Sequence, residues 1–205
     1  MILTELLAKG GVVMPVILVL SVYVMAVIMY KIYQFWATGA LATAFIDKII
    51  AAVADNKMAE AMNIAGNNKG PAAKVIETAI NAVSNRALTD EKRIRIVEST
   101  AIREIRQYET HLRGLEMIAN IAPLLGLLGT VTGMVKVFAG ISQTGSGVDP
   151  ALLAGGIWEA LIATVAGLAV AIPSLAAHYI LEGRIDSVRA TIKDAVMCIM
   201  ARSVN

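Results

Sequence analysis

GIWEALIATVAGLAVAIPSLAA, residues 156–177, is apolar for long enough to cross a bilayer and carries one carboxylate, Glu159, near its start. A crossing helix needs about 20 mostly apolar residues. An ionised acid near the middle of such a helix costs at least about 2.5–3.5 kcal/mol on insertion scales. A chain that keeps Glu159 there has a partner or a use for it.

The rest of the sequence agrees with a membrane setting. Of 205 residues, 57% are hydrophobic and 17% charged, and the charges sit in blocks between nearly charge-free windows. Two further windows qualify as spans: 12–34, VVMPVILVLSVYVMAVIMYKIYQ, and 117–141, MIANIAPLLGLLGTVTGMVKVFAGI. The third extends over 152–180. The opening imitates a signal peptide, with Lys9, an apolar stretch and LATA at 41–44, but its charge-free run exceeds the usual signal core of about 7–15 residues. We read it as a retained anchor.

Positive charge orients the spans. Segment 35–116 is rich in Lys and Arg, and the tail 181–205 adds Arg184, Arg189, Lys193 and Arg202. The connector 142–151, SQTGSGVDPA, has none. The bias of Lys and Arg towards the cytoplasm therefore places 1–11 and 142–151 in the periplasm, and 35–116 and 181–205 in the cytoplasm. The near-balance of acids and bases in 35–116 describes a solvated protein surface, so no nucleic-acid partner is expected. The lone Cys198 has no intramolecular disulfide partner, and no Cys/His cluster has metal-ligand spacing. Neither a metal nor a cofactor is expected.

The cytoplasmic part reads as helical. A first helix covers about 40–65 and stops at GNNKGP (66–71), and a second covers about 71–86. A third starts after Thr89, a candidate N-cap, with Asp90 and Glu91 in its first turn. Ile94, Val97, Ala101, Ile105, Tyr108, Leu112 and Leu115 form one stripe, so this helix is expected to run unbroken into span two. Leu181, Ile185, Val188, Ile192 and Ile199 continue span three in the same way. The fold class predicted is an all-α membrane protein, with three transmembrane helices and spans two and three extended into a cytoplasmic helical bundle.

Two seams of small residues lie in the spans. Span two presents Ala119, Pro123, Gly126, Thr130, Gly133, Val137 and Gly140; span three presents Gly156, Glu159, Ala163, Ala166, Val170, Pro173 and Ala177. Small residues at such spacing let membrane helices approach closely. Glu159 then faces a packed surface, whereas Thr164 is rotated from it by about 140° on an ideal helix. Alternative roles stand beside a functional one: Thr130 and Thr164 bonding their own backbone, and Lys136 forming a structural ion pair with Glu159. Patterns of intramembrane enzymes (HExxH, GxSxG, GxGD) are absent, so no enzyme is expected.

APLLGLLGTVTGM (122–134) followed by GGIWEALIATVAGLAVAIPSLAAHY (155–179) closely resembles the ExbB/TolQ/MotA family of ion-driven energy transducers. GGVVMPVILVLSVYVMAVI (10–28) resembles the opening of ExbB-like members. The specific part is P-x-x-G-x-x-G-T-V and E-A-L-I-A-T in order. The resemblance implies a homopentamer in the bacterial inner membrane around a pore lined by spans two and three. It further implies two copies of an ExbD-, TolR- or MotB-like single-span partner in that pore, working with a TonB- or TolA-like protein among membrane lipids. Thr130, Glu159 and Thr164 fall on polar positions of the implied proton pathway, and Pro123 and Pro173 on helix positions the family marks. Gly126, Gly133, Ala163, Ala166 and Val170 complete the packing and pore-lining set. Three spans rather than four set the chain apart from the flagellar branch. Lys136 stands where a neutral or titratable side chain is expected, which makes it a candidate modulator of Glu159. Between the ExbB-like and TolQ-like branches, the ExbB-like one is favoured.

Overall fold

The computed structural model describes residues 13–39, 43–144 and 150–201. The predicted periplasmic N-terminus, the middle of the connector (145–149) and the end of the tail lie outside the described residues. Seven helices are found among the described residues, with no strand. They are α1 (Val13–Thr38), α2 (Ala44–Ala54), α3 (Met58–Gly66), α4 (Pro71–Ser84), α5 (Asp90–Glu109), α6 (Leu112–Thr144) and α7 (Pro150–Ala201). Three stretches are long and apolar enough to cross a membrane: Val13–Thr38, one within Asp90–Ser142, and one within Leu153–Ala201. The chain is therefore an all-α membrane protein.

It divides into two compact units, one from Met1–Met29 with His111–Tyr179, the other from Tyr30–Thr110 with Ile180–Asn205. The first unit is the membrane hairpin of α6 and α7 with the start of α1, whose buried stripe is Val13, Met14, Ile17, Val24 and Val27. Its other α1 faces carry Val19, Val22, Met25 and Met29 outward, as an apolar solvent allows.

The second unit has a core of Ile46, Ile49, Val53, Val75, Ile76, Ala79 and Ile80 from α2 and α4. Both stripes read from the sequence contribute to it: Val97, Ile105 and Tyr108 of α5, and Ile185, Val188, Ile192 and Ile199 of α7, are all buried. Ile94, the first member of the α5 stripe, is exposed. Gly70 takes φ 106, a conformation that favours glycine, and hands the chain to Pro71 at the first turn of α4.

Two expectations about helix continuity are corrected. The helix expected over about 40–65 is two helices, because Asn56 adopts φ 64, a left-handed turn that asparagine tolerates. The helix expected to run unbroken into span two stops at Thr110 (ψ 136) and restarts after His111 (φ 69). There the Thr110 hydroxyl donates to the Arg106 carbonyl at 3.0 Å. Such side-chain bonds compete with the helix ladder. Thr89 occupies the N-cap position of α5, but its side chain makes no capping bond.

A break leaves terminal carbonyls without helical partners, and a residue from span one supplies one. Lys31, fully buried, donates from Nζ to the Tyr108 carbonyl at 2.8 Å and to Gln34 Oε1 at 2.9 Å. A cation at a helix C-terminus is also favoured by the helix dipole. The Phe35 and Tyr108 rings pack alongside, centroids 5.7 Å apart. Lys31→Met keeps the apolar stem and removes the donor, leaving the Tyr108 carbonyl unpaired. We expect a loss of about 1–3 kcal/mol in unfolding free energy, read from denaturant unfolding in mild detergent. An unchanged midpoint would remove the capping role.

Candidate functional site

The site is built on the α6–α7 hairpin. A Cβ placed on Gly126 would lie 3.0 Å from the Ala163 carbonyl oxygen and the Thr164 Cα, and one on Gly133 3.2 Å from Ala160 Cβ. A Cβ on Gly129 would overlap Ala163, and one on Gly156 would overlap Val137. On Gly167 it would stand 2.5 Å from the Ala122 carbonyl oxygen. The contacts pair Ala122 and Gly126 with Gly167, then Gly129 with Ala163, Gly133 with Ala160, and Val137 with Gly156. This is one continuous antiparallel register, with backbones close enough that only small residues fit.

Two buried polar side chains bond across the same hairpin where α6 begins. Ser174 Oγ donates to the Leu115 carbonyl at 2.8 Å, and His178 Nδ1 lies 3.2 Å from the Leu112 carbonyl. That carbonyl only accepts, so Nδ1 carries the proton. Both carbonyls belong to the first turn and a half of α6, which these side chains tie to α7. Sequence reading missed this pair. The available signal was a Ser and a His four apart in the later, mostly apolar half of span three.

The structure brings Glu159 and Lys136 together: Lys136 Nζ is 3.9 Å from Glu159 Oε1, with the lysine side chain 63% exposed and the glutamate 34%. The separation exceeds hydrogen-bond range, so this is an ion pair without a direct bond. It sits between the Gly133–Ala160 and Val137–Gly156 contacts, which fix how far apart the two backbones stand.

The threonines are placed differently. Thr130 Oγ1 donates to the Leu127 carbonyl of its own helix at 2.7 Å. Thr164 Oγ1 reaches across the hairpin to the Gly126 carbonyl at 3.2 Å. Along the helix axis Thr164 stands about 7.5 Å from Glu159, so the polar groups occupy successive levels.

In span two Ala119, Gly126, Gly133 and Val137 are buried, and Pro123, Thr130 and Gly140 half-buried. In span three the face packed within the chain is shifted. Ala160, Ala163, Gly167, Val170 and Ser174 are buried, whereas Glu159 and Ala166 are half-buried and Pro173 exposed. α7 thus has two adjacent rows of small residues, and the hairpin uses one. The row Glu159, Ala166, Pro173, spaced by seven, is left on its flank. Among the described residues, no group of three or more His, Cys, Asp or Glu side chains is placed to hold a metal ion.

Known proteins are similar to this chain in sequence. The chain is 32% identical over 187 residues to a putative biopolymer transport protein ExbB homolog of Methanothermobacter thermautotrophicus, covering 89% of this chain and 63% of that protein. It is 44% identical over 80 residues to the biopolymer transport protein ExbB of Salmonella typhimurium, 39% of this chain and 32% of that protein. To the biopolymer transport protein ExbB of Neisseria gonorrhoeae it is 41% identical over 78 residues, 38% of this chain and 35% of that protein. The chain thus matches less than two thirds of the length of these relatives. Residues 46–194, from α2 through both hairpin spans, match the profile of the MotA/TolQ/ExbB proton channel family, and the chain belongs to that family.

Proposed function

We propose that the chain is the proton-channel subunit of an ExbB-like energy-transducing motor in the bacterial inner membrane, its N-terminus periplasmic. Five copies form a ring around two ExbD-like single-span partners. Proton-motive force passing through the Glu159 level drives TonB-dependent outer-membrane transport. The observation that carries this is Glu159, the sole acid of its span, half-covered on the flank of the hairpin rather than locked inside it. Thr130 and Thr164 support water at the levels beyond it, since a hydroxyl that donates to a carbonyl still accepts from water.

The unused row Glu159, Ala166, Pro173 supports assembly, as small residues of a membrane helix are where another helix packs closely. An open groove in the second unit gives further support. It is lined by Val97, Ile102, Ile105, Ile192 and Met197, and a second copy of this chain fills it. Co-purification with each candidate partner, followed by native mass spectrometry, tests the reading; five copies with two partner chains are expected, and a monomer alone would reject it. The Lys136–Glu159 pair favours a second reading, a passive scaffold with the acid neutralised in a structural pair, and the two part ways on the Glu159→Gln variant.

Topology is tested separately by cysteine labelling at Ser84 and Ser146 in a variant lacking Cys198. An impermeant thiol reagent added to intact spheroplasts is expected to modify position 146 and spare 84. The reverse pattern would invert the orientation.

A further inference from the structure

We propose that adjacent copies of this chain are joined inside the membrane by a hydrogen bond from the Asn120 side-chain amide of one copy to the Ala169 carbonyl of the next. The inference rests on the ring reading above and names the two edges that meet. Pro173 lies inside α7 and has no N–H, so the carbonyl of Ala169, four residues earlier, has lost its helical donor. Ala169 and Pro173 are both exposed, and a methyl side chain leaves the oxygen open to a neighbour. On α6, Asn120 is exposed within span two. Among the described residues its side chain has no hydrogen-bond partner. Hydrocarbon supplies no water to either group. One is a donor and the other an acceptor, so each supplies what the other lacks.

The hairpin sets both groups at one depth. Gly167 packs on Ala122, and Ser174 bonds the Leu115 carbonyl. The two contacts are seven residues apart on both helices, which makes Ala169 level with Asn120. Each stands two residues from Gly167 or Ala122 and is therefore turned about 160° away from the facing helix. The two groups look out from opposite edges of one hairpin, with both helices between them, and cannot meet within one chain. Hairpins set edge to edge, head to tail, bring the Asn120 edge of each copy against the Ala169 edge of the next, and closing the ring leaves no edge over. A two-fold pair would instead set Asn120 against Asn120 and leave the carbonyl unpaired. One turn along each helix the same geometry puts Leu124 level with Val165, both exposed on these edges.

The test is a double-mutant cycle on the complex as it purifies with its single-span partner, read by native mass spectrometry on dilution. Asn120→Leu removes the donor and is expected to raise the concentration at which the ring dissociates by about threefold or more. Pro173→Ala restores an N–H to α7, so the Ala169 carbonyl is bonded within its own helix. Asn120→Leu added to that background is expected to change the midpoint no further. No effect of Asn120→Leu alone, or an equal effect in both backgrounds, overturns the proposal.

A cross-link that leaves Asn120, Ala169 and Pro173 in place covers a variant that fails to assemble. In a chain lacking Cys198, Leu124→Cys and Val165→Cys are combined and oxidised in membranes. The double variant is expected to give a ladder of disulfide-linked multimers ending at the closed ring, and each single substitution monomer only. Monomer from the double variant, or a dimer from either single one, overturns the proposal. A ring by native mass spectrometry without this cross-link rejects the edges named here alone. Absence of any ring rejects the reading above, and the inference falls with it.

Discussion

Glu159→Gln is expected to leave the complex assembled and to reduce proton-driven activity to background. Gln keeps the shape of Glu and most of its hydrogen-bonding capacity, but has no proton to exchange. Glu159 lies on the flank of the hairpin, 34% exposed and without a direct bond to Lys136, so its neutralisation removes no close packing. Lys136, 63% exposed, has room to turn towards the membrane surface, as long basic side chains do. Glu159→Asp stays titratable one methylene shorter and is expected to retain part of the activity. Thr130→Val and Thr164→Val are expected to weaken it less than Glu159→Gln, since both hydroxyls already serve carbonyls. The scaffold reading reverses this order. There Gln strands Lys136 as an unpaired charge, so complex yield falls while activity per complex persists. Yield and proton-driven uptake measured on the same preparations therefore separate the two, and a poorly assembling Gln variant with normal uptake per complex would reject the pathway.

The sequence carried the membrane architecture well, because span length and apolarity are direct readings of bilayer thickness. The stripes of α5 and of the α7 extension were legible for a similar reason: helical period maps onto one buried face. The helix break at Thr110–His111 was not legible, since no Gly or Pro marks it and the apolar period runs through it. Lys31, far away in the chain, places a donor on the Tyr108 carbonyl that the break exposes. Sequence also placed Glu159 in the packed seam of span three. The residues at 156, 159, 163 and 166 and those at 156, 160, 163 and 167 satisfy the same alternation of threes and fours. Period alone does not choose between them. The choice falls to Gly167 and Ala160, whose faces meet Ala122, Gly126 and Gly133 across the hairpin. The Lys136–Glu159 pair was visible as an alternative from depth alone, because the two lie about 8 Å and about 10 Å inside the facing ends of their spans.

Three substitutions of glycine by alanine are expected to separate packing from helix propensity. Each site is helical, so propensity alone favours alanine by about 1 kcal/mol in every case, and any difference reports what the new methyl meets. At Gly183 nothing lies within 4 Å, and Gly183→Ala is expected to stabilise by up to about 1 kcal/mol. At Gly114 the methyl meets the Tyr23 hydroxyl at 2.8 Å, the end of a side chain with room to rotate, so the two effects nearly cancel. At Gly167 it meets the Ala122 carbonyl oxygen at 2.5 Å, with Gly126 Cα at 3.1 Å and Gly126 N at 3.2 Å. All three are backbone atoms, so relief requires α6 and α7 to part along their whole register. Gly167→Ala is expected to lose about 3 kcal/mol or more and to yield little folded protein. Denaturant unfolding of the three variants in one detergent reads the order directly. A Gly167→Ala variant as stable as the wild type would mean that the hairpin does not pack at this distance. A Gly183→Ala variant that loses stability in the assembled ring, but not as a dissociated chain, would place a neighbouring copy against that turn of α7.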